Sequence, residues 1–109
     1  MKVLHVEGGR HYYGGARQVV YLLEGLAQRG VENLLVCPPG AAIAGHAAPF
    51  AEVLPTRLRG DLDVGFVARL HARIRAARPD LVHLHSRRGS DVWGGIAARL
   101  AGVPSVLSR

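Results

Sequence analysis

Lys2-Val3-Leu4-His5-Val6, running straight into Glu7-Gly8-Gly9, is the stretch whose reading decides the fold. A short run of β-branched and apolar residues that ends in glycine reads as a buried strand leaving the core for a loop. Beyond that glycine-rich loop, from Gly15 onward, Val19, Val20, Leu23, Leu26 and Ala27 recur at three- and four-residue spacing. This is the stripe of an amphipathic helix, and Arg29-Gly30 ends it with a cation followed by a C′ glycine. Residues 33–37 form a second apolar run, which Pro38-Pro39-Gly40 closes because it can extend neither a ladder nor a helix. The opening third of the chain is therefore strand, helix, strand.

The pattern continues with less contrast and then recovers. Residues 41–48 have weak helical character interrupted by Gly45 and followed by Pro49, and residues 51–54 form a short third strand before Pro55. Asp61 or Asp63 then offers an N-cap to a helix whose apolar face is Val64, Val67, Leu70, Ile74 and Ala77, with Arg69, Arg73 and Arg78 largely off it. Pro79 stops that helix, and residues 81–85 read as a fourth strand. Ser90-Asp91 opens a helix carrying Val92, Ile96 and Leu100, and Gly102 ends it ahead of a fifth strand at Ser105-Val106-Leu107. Strands alternating with helices imply right-handed βαβ crossovers, hence an α/β fold: an open parallel Rossmann-like sheet of about five strands covered on both faces, with order 3-2-1-4-5.

Bulk properties narrow the function classes. The chain has 109 residues, enough for one domain spanning residues 1–109 and one core. No apolar run approaches the roughly 18 residues of a spanning helix, and the first residues turn polar too early for a secretion signal, so a cytoplasmic location is expected. The lone cysteine, Cys37, excludes an internal disulfide and reads as a small buried hydrophobe. Thirteen Arg and one Lys against eight acids give a net charge of +6, which favours anionic partners, but the longest basic run is Arg87-Arg88 and nucleic acid is not expected. The last strand falls so near Arg109 that the domain is expected to continue in a longer protein. An uncovered sheet edge there would invite self-association.

In doubly wound sheets, ligands sit at the carboxyl ends of the strands where strand order reverses. With order 3-2-1-4-5, residues 7–15 lie beside residues 85–89. In the first loop Gly14-Gly15 abut a helix start, where free amides and the positive dipole end favour a phosphate. The alternative is that these glycines only make a turn and a close helix-sheet contact. Neither the dinucleotide fingerprint nor a phosphate-loop G-K-[ST] is present. On the fourth strand His83 and His85 share a side by the period of two, with His85 nearer the ligand edge. No third ligand joins the pair at a recognised spacing, so no metal site is expected, and a hydrogen bond from His85 to a hydroxyl or the backbone is the expected use. Ser86-Arg87-Arg88-Gly89 follows, and arginines at this mouth suit a phosphate or carboxylate, unless they are solvated surface residues. Trp93 is expected to pack its helix on the sheet. His46 and His71 read as structural or exposed.

Taken in order, Met1-Lys2-Val3-Leu4-His5-Val6, Gly14-Gly15-Ala16, Pro79-Asp80-Leu81-Val82-His83-Leu84-His85-Ser86 and Ala101-Gly102-Val103-Pro104-Ser105-Val106-Leu107 resemble the opening of a glycosyltransferase family 4 enzyme of GT-B architecture. The resemblance covers essentially the whole chain. It implies a bacterial-type enzyme that transfers a sugar from a nucleotide-sugar, with retention, to a lipid-linked or cell-envelope glycan acceptor such as a lipopolysaccharide precursor. No tightly bound cofactor is implied, the nucleotide-sugar being a substrate. The N-terminal domain chiefly receives the acceptor, and peripheral contact with the inner face of the membrane fits that role.

Residue by residue, Gly14 and Gly15 match the family's glycine loop and His85 its second histidine, the one candidate here for a catalytic part. Ser86, Arg87 and Arg88 fall in a variable loop, and their anion-binding role is inferred from their chemistry. At Arg17 the family often has Glu or Gln. The groups that hold the nucleotide-sugar belong to a C-terminal domain, so this chain alone is expected to be inactive. The rival reading is a stand-alone α/β module that binds an anion or phosphate. A receiver-type module would need clustered acids at strand ends, where Glu7 stands alone.

Overall fold

A computed structural model describes residues 1–8, 14–57, 65–85 and 90–107, side chains of residues 90–93 excepted. The elements in chain order are β1 (Lys2–Val6), α1 (Gly14–Gln28), β2 (Glu32–Cys37), α2 (Ile43–Ala47), β3 (Glu52–Pro55), α3 (Gly65–Ala77), β4 (Leu81–Leu84), α4 (Ser90–Leu100) and β5 (Ser105–Leu107). The five strands make one parallel sheet of order β3-β2-β1-β4-β5, parallel as the alternation of strand and helix implies and in the expected order. β1 is central, and the order reverses beside it, between β1 and β4.

Alternation of side chains along the strands sorts the core onto two faces. Leu4, Val6, Leu34, Val36, Val82 and Leu84 meet Phe66, Leu70 and Ile74 of α3 and Ala97 and Ala98 of α4. On the opposite face Leu35 and Cys37 meet Ala16, Val19, Val20 and Leu23 of α1 and Ile43 and Ala47 of α2. His5 belongs to this second face, one residue away from Leu4 and Val6 in a strand whose side chains are buried from Val3 to Val6.

Helix ends follow from local chemistry. After α1, Gly30 takes φ +81° and donates to Ala27 O at 3.1 Å, while Val31 N–H donates to Leu26 O at 3.0 Å. Gly102 after α4 repeats the pattern with φ +73° and with Val103 N–H on Ala98 O at 3.0 Å. Both are Schellman closures, in which glycine enters the left-handed region without a Cβ penalty. α3 ends differently. Arg78, just ahead of Pro79, takes the left-handed φ of 51° and donates its N–H to Ile74 O at 2.9 Å, a single-bond αL closure made without glycine.

Four sequence-based expectations need correction. Gly45 does not break α2, which runs through it. β3 includes Pro55, tolerated because β3 is an edge strand and Pro55 its last residue. On α3 the largest core residue is Phe66, with Val67 and Ala77 only half-buried, while Asp61, Asp63 and Val64 lie outside the described residues. On α4, Ile96 and Leu100 do not form the core face: they are 40% and 66% exposed, and Gly94, Ala97 and Ala98 face the sheet instead. The reason is proximity. A Cβ on Gly94 would lie 2.6 Å from Leu84 Cδ2, so α4 rides on β4 closer than a large side chain allows.

Candidate functional site

Carboxyl ends of β1 and β4 are locked side by side. Leu84 is in register with Val6, and the His85 N–H continues the ladder to Val6 O at 2.9 Å. His85 is thereby held one residue beyond β4, at the edge where strand order reverses. On the other side of β1, Glu7 N–H bonds Val36 O at 3.0 Å and Thr56 N–H bonds Cys37 O at 2.8 Å. Beneath them Val6, Glu7, Gly8, Val36, Cys37, Pro38, Thr56 and Phe66 line a hollow too tight to admit a water molecule, and so closed to a glycan. Cys37 is buried there as expected, and its thiol pKa is raised by burial and then by the charge of Glu7.

Gly14 and Gly15 open α1, and both are exposed. Among the described residues beyond the chain neighbours and the helix's own backbone, no atom lies within 4 Å of where a Cβ would stand on either one. A close helix-sheet contact therefore does not explain these glycines. Neither glycine has a side chain to cover the amides of the first turn of this 15-residue helix, and a helix start of this kind can receive an anion. Ser86, Arg87 and Arg88 lie outside the described residues, as do the Trp93 side chain and the whole of residues 9–13.

What sequence reasoning missed stands beneath His85. The register pairs His5 of β1 with His83 of β4, and a row across the sheet reads Val53, Leu35, His5, His83, Val106. Two imidazoles thus occupy the middle of a face that is otherwise aliphatic along that row. His83 and His85 have ring centroids 3.9 Å apart, and the His5 ring stacks at 5.2 Å from that of His85. Nitrogens of all three rings lie within 4.8 Å of one another. Sequence spacing offers the pair no third ligand, but the fold brings the ring of His5 to it. Its signal was present in the histidine at the penultimate position of β1, but it needed the cross-strand register to be read.

Asn33 fixes the protons in this cluster. Its Nδ2 donates to Leu23 O at 3.0 Å and Phe50 O at 3.2 Å, which turns Oδ1 toward His5 Nε2 at 3.1 Å. Oδ1 can only accept, so His5 carries its proton on Nε2. His5 Nδ1 is then a lone pair, and it accepts from His85 Nε2–H at 2.9 Å. His85 is left with a bare Nδ1. One ring nitrogen of His85 thus bonds another ring, which leaves Nδ1 for the expected hydrogen bond to a hydroxyl.

The electrostatics agree with neutral rings. Burial, with a smaller push from His83, lowers the His5 pKa to about 4 against the opposing hydrogen bond to Asn33. Burial and then the charges of His83 and His5 push His85 down to about 3, and burial lowers His83. At neutral pH the cluster is uncharged and offers lone pairs.

Fold and site together define a Rossmann-like α/β domain with an imidazole cluster toward the carboxyl ends of β1 and β4. The family model of Glycosyltransferase Family 4 matches residues 12–109, and the chain belongs to that family, in which it forms a Rossmann-like domain of the GT-B kind. No curated protein matches the chain in sequence. Among solved structures it is similar to MurG of Acinetobacter baumannii, at 15% identity over 97% of this chain and 34% of that one, with TM-score 0.78. The glycosyltransferase VinC in complex with dTDP matches at 20% identity over 98% of this chain and 34% of its own, TM-score 0.74. MnaA of S. aureus with UDP matches at 22% identity, 97% and 30%, TM-score 0.70. At these identities the likeness is one of fold. The chain spans about a third of the length of each. Among the described residues no helix is long and apolar enough to cross a membrane.

Proposed function

We propose that this chain is the acceptor-side, N-terminal domain of a bacterial GT-B glycosyltransferase. That enzyme moves a sugar from a nucleotide-sugar, with retention, to a lipid-linked or cell-envelope glycan acceptor. The observation that carries the reading is that the family match, over residues 12–109, takes in both Gly14-Gly15 at the start of α1 and His85 just past β4. The α1 amides suit a phosphate of the acceptor or donor. His85, with its Nε2–H engaged by His5, presents Nδ1 to a sugar hydroxyl. Ser86, Arg87 and Arg88 add a hydroxyl and two guanidinium forks for an anionic acceptor.

The nucleotide-sugar is a substrate in this reading, not a resident cofactor, and the remainder of a longer protein holds its nucleotide. Two of the similar structures carry dTDP and UDP, which supports that donor class. The protein works in the cytoplasm, at the inner face of the membrane where a lipid-linked acceptor is found. The edge strand β5, with Val106 and Leu107 exposed, is where self-association of this chain would occur.

The test is a resonance-resolved titration of the purified chain with a lipid-phosphate glycan mimic and, separately, with nucleotide-sugars. Shifts at Gly14, Gly15 and His85 with the glycan phosphate, and no sugar transfer by the chain alone, support the reading. Tight nucleotide binding by this chain would instead make it a stand-alone anion-binding module. Turnover by the chain alone would overturn the assignment of the donor site to another domain.

A further inference from the structure

Of the side-chain clusters in the fold, the one formed by His5, His83 and His85 exceeds what acceptor binding needs. His85 alone reaches the ligand edge. His5 is fully buried, and His83 points the same way from the neighbouring strand. An aliphatic residue at either position would pack this face as Leu35 and Val53 do on β2 and β3.

We propose that His5, His83 and His85 form a three-imidazole site for a divalent transition-metal ion of the zinc class. Three features of the geometry support it. First, the ring nitrogens already lie within 4.8 Å of one another, and tetrahedral ligation at about 2.0–2.1 Å asks for separations near 3.3 Å. Rotation of the two half-buried rings, His83 and His85, closes that gap around a fixed His5. Second, His5 is oriented as metal-bound histidines are. Its Nε2–H is committed to Asn33 Oδ1, and Asn33 is itself anchored on two backbone carbonyls. Such an outer partner fixes the tautomer and aims the other nitrogen at the ion. Third, the site has an open side, since Val106 next to His83 in the row is 46% exposed. A water can take the fourth position.

Binding is balanced in protons. In the metal-free chain His85 Nε2–H donates to His5 Nδ1, and the ion replaces that bond. The His85 proton moves from Nε2 to Nδ1, so each imidazole binds as a neutral ligand and no proton leaves the protein. Near neutrality the buried rings carry no competing proton. The choice of metal follows the ligands: three imidazoles and a water suit zinc, cobalt or nickel over magnesium or calcium, which prefer oxygen. The site stands on the β1–β4 register and does not depend on the proposed sugar transfer.

Calorimetric titration of the chelator-treated chain with Zn²⁺, and with Co²⁺ as a visible-absorbing probe, tests the site. One equivalent per chain is expected, with a cobalt ligand-field band of tetrahedral intensity. His83→Gln and His85→Gln, at half-buried positions, should each weaken binding on the order of 100-fold, the upper end of what loss of even a supporting partner costs. His46→Gln and His71→Gln should leave it unchanged. The wild-type chain supplies a readout independent of folding in the variants: Co²⁺ should shift the resonances of His5, His83 and His85 ahead of those of His46 and His71. No saturable one-to-one binding, binding that survives both His83→Gln and His85→Gln, or cobalt shifts confined to His46 or His71 would each overturn the proposal. None of these outcomes bears on whether the chain binds a glycan phosphate at Gly14 and Gly15.

Discussion

Asn33 on β2 and His5 on β1 are joined by a 3.1 Å hydrogen bond from His5 Nε2 to Asn33 Oδ1, inside a face that is otherwise aliphatic around β2. Asn33 also closes two main-chain carbonyls, Leu23 O at the α1 side and Phe50 O ahead of β3. One buried amide therefore ties α1, β1 and the approach to β3 together. Replacing it with the near-isosteric leucine orphans the His5 proton and removes the donors to both carbonyls. Asn33→Leu should destabilise the chain by about 3 kcal/mol, because each buried group left unsatisfied costs roughly 1–3 kcal/mol. Chemical unfolding followed by circular dichroism measures this, and a loss below about 1 kcal/mol would mean that water takes over the amide's bonds. Asn33→Asp keeps the acceptor and adds a charge, so it should raise the His5 pKa, which imidazole resonances would show.

The same burial makes stability depend on pH in one direction. In the unfolded chain a histidine titrates near 6.5, whereas His5 in the fold titrates at about 4 and His85 at about 3. Between those values the unfolded chain binds protons that the native chain refuses, so stability rises with pH across that window. It is fully present above about pH 6.5 and is lost as pH falls toward 4 and below, the coupled His5 and His85 rings together accounting for several kcal/mol. Urea midpoints of the chelator-treated chain at several pH values should fall steadily below pH 6.5. Midpoints that stay level down to pH 4 would show that the rings are hydrated in solution.

Cys37 should be chemically silent in the native state. Burial and the charge of Glu7 raise its thiol pKa, and only the thiolate attacks disulfide reagents. Labelling by an aromatic disulfide should therefore follow the opening of the hollow between β1 and β2, accelerating with denaturant. Glu7→Gln removes one of the two causes and should speed the reaction modestly. Immediate stoichiometric labelling without denaturant would contradict the buried placement.

Sequence patterns revealed the fold more fully than the site, for reasons visible in particular residues. Apolar runs bounded by glycine and proline placed all five strands, the alternation with helices implied a parallel sheet, and the expected order 3-2-1-4-5 is the one observed. That order put Gly14-Gly15 beside His85. Register was not available, since it depends on how β1 and β4 align, and without it His5 could not be matched to His83 nor Asn33 to His5. Asn33 also looked like the polar start of an apolar strand, when it is one of its buried members. The α4 error has a different origin. Hydrophobic spacing gives weight to Ile96 and Leu100, while Gly94, Ala97 and Ala98 score weakly although their smallness is what lets the helix approach. Ile96 and Leu100 face outward because the inner surface has no room.

That closeness yields a paired prediction on α4. A methyl at Gly94 would meet Leu84 Cδ2 at 2.6 Å and Leu70 Cδ2 at 3.5 Å, whereas one at Gly95 would meet nothing nearer than Leu84 Cδ1 at 3.9 Å. Both positions lie inside a helix, where alanine is favoured over glycine by about 1 kcal/mol. At Gly95 that gain stands nearly alone, and Gly95→Ala should raise stability by several tenths to about 1 kcal/mol. At Gly94 the displaced atom ends a flexible side chain, but Leu84 is only 3% exposed and shares its cluster with Leu70 and Ala97, so it has nowhere to swing. Overpacking a core of this kind costs typically 1–3 kcal/mol. The helix gain offsets part of it, leaving Gly94→Ala destabilising by about 1 kcal/mol. The two variants differ by one methyl on adjacent residues of one helix, so opposite shifts in thermal midpoint would isolate the helix-sheet distance as the cause. Equal shifts of the same sign would mean that α4 stands farther from β4 than its contacts with Leu84 indicate.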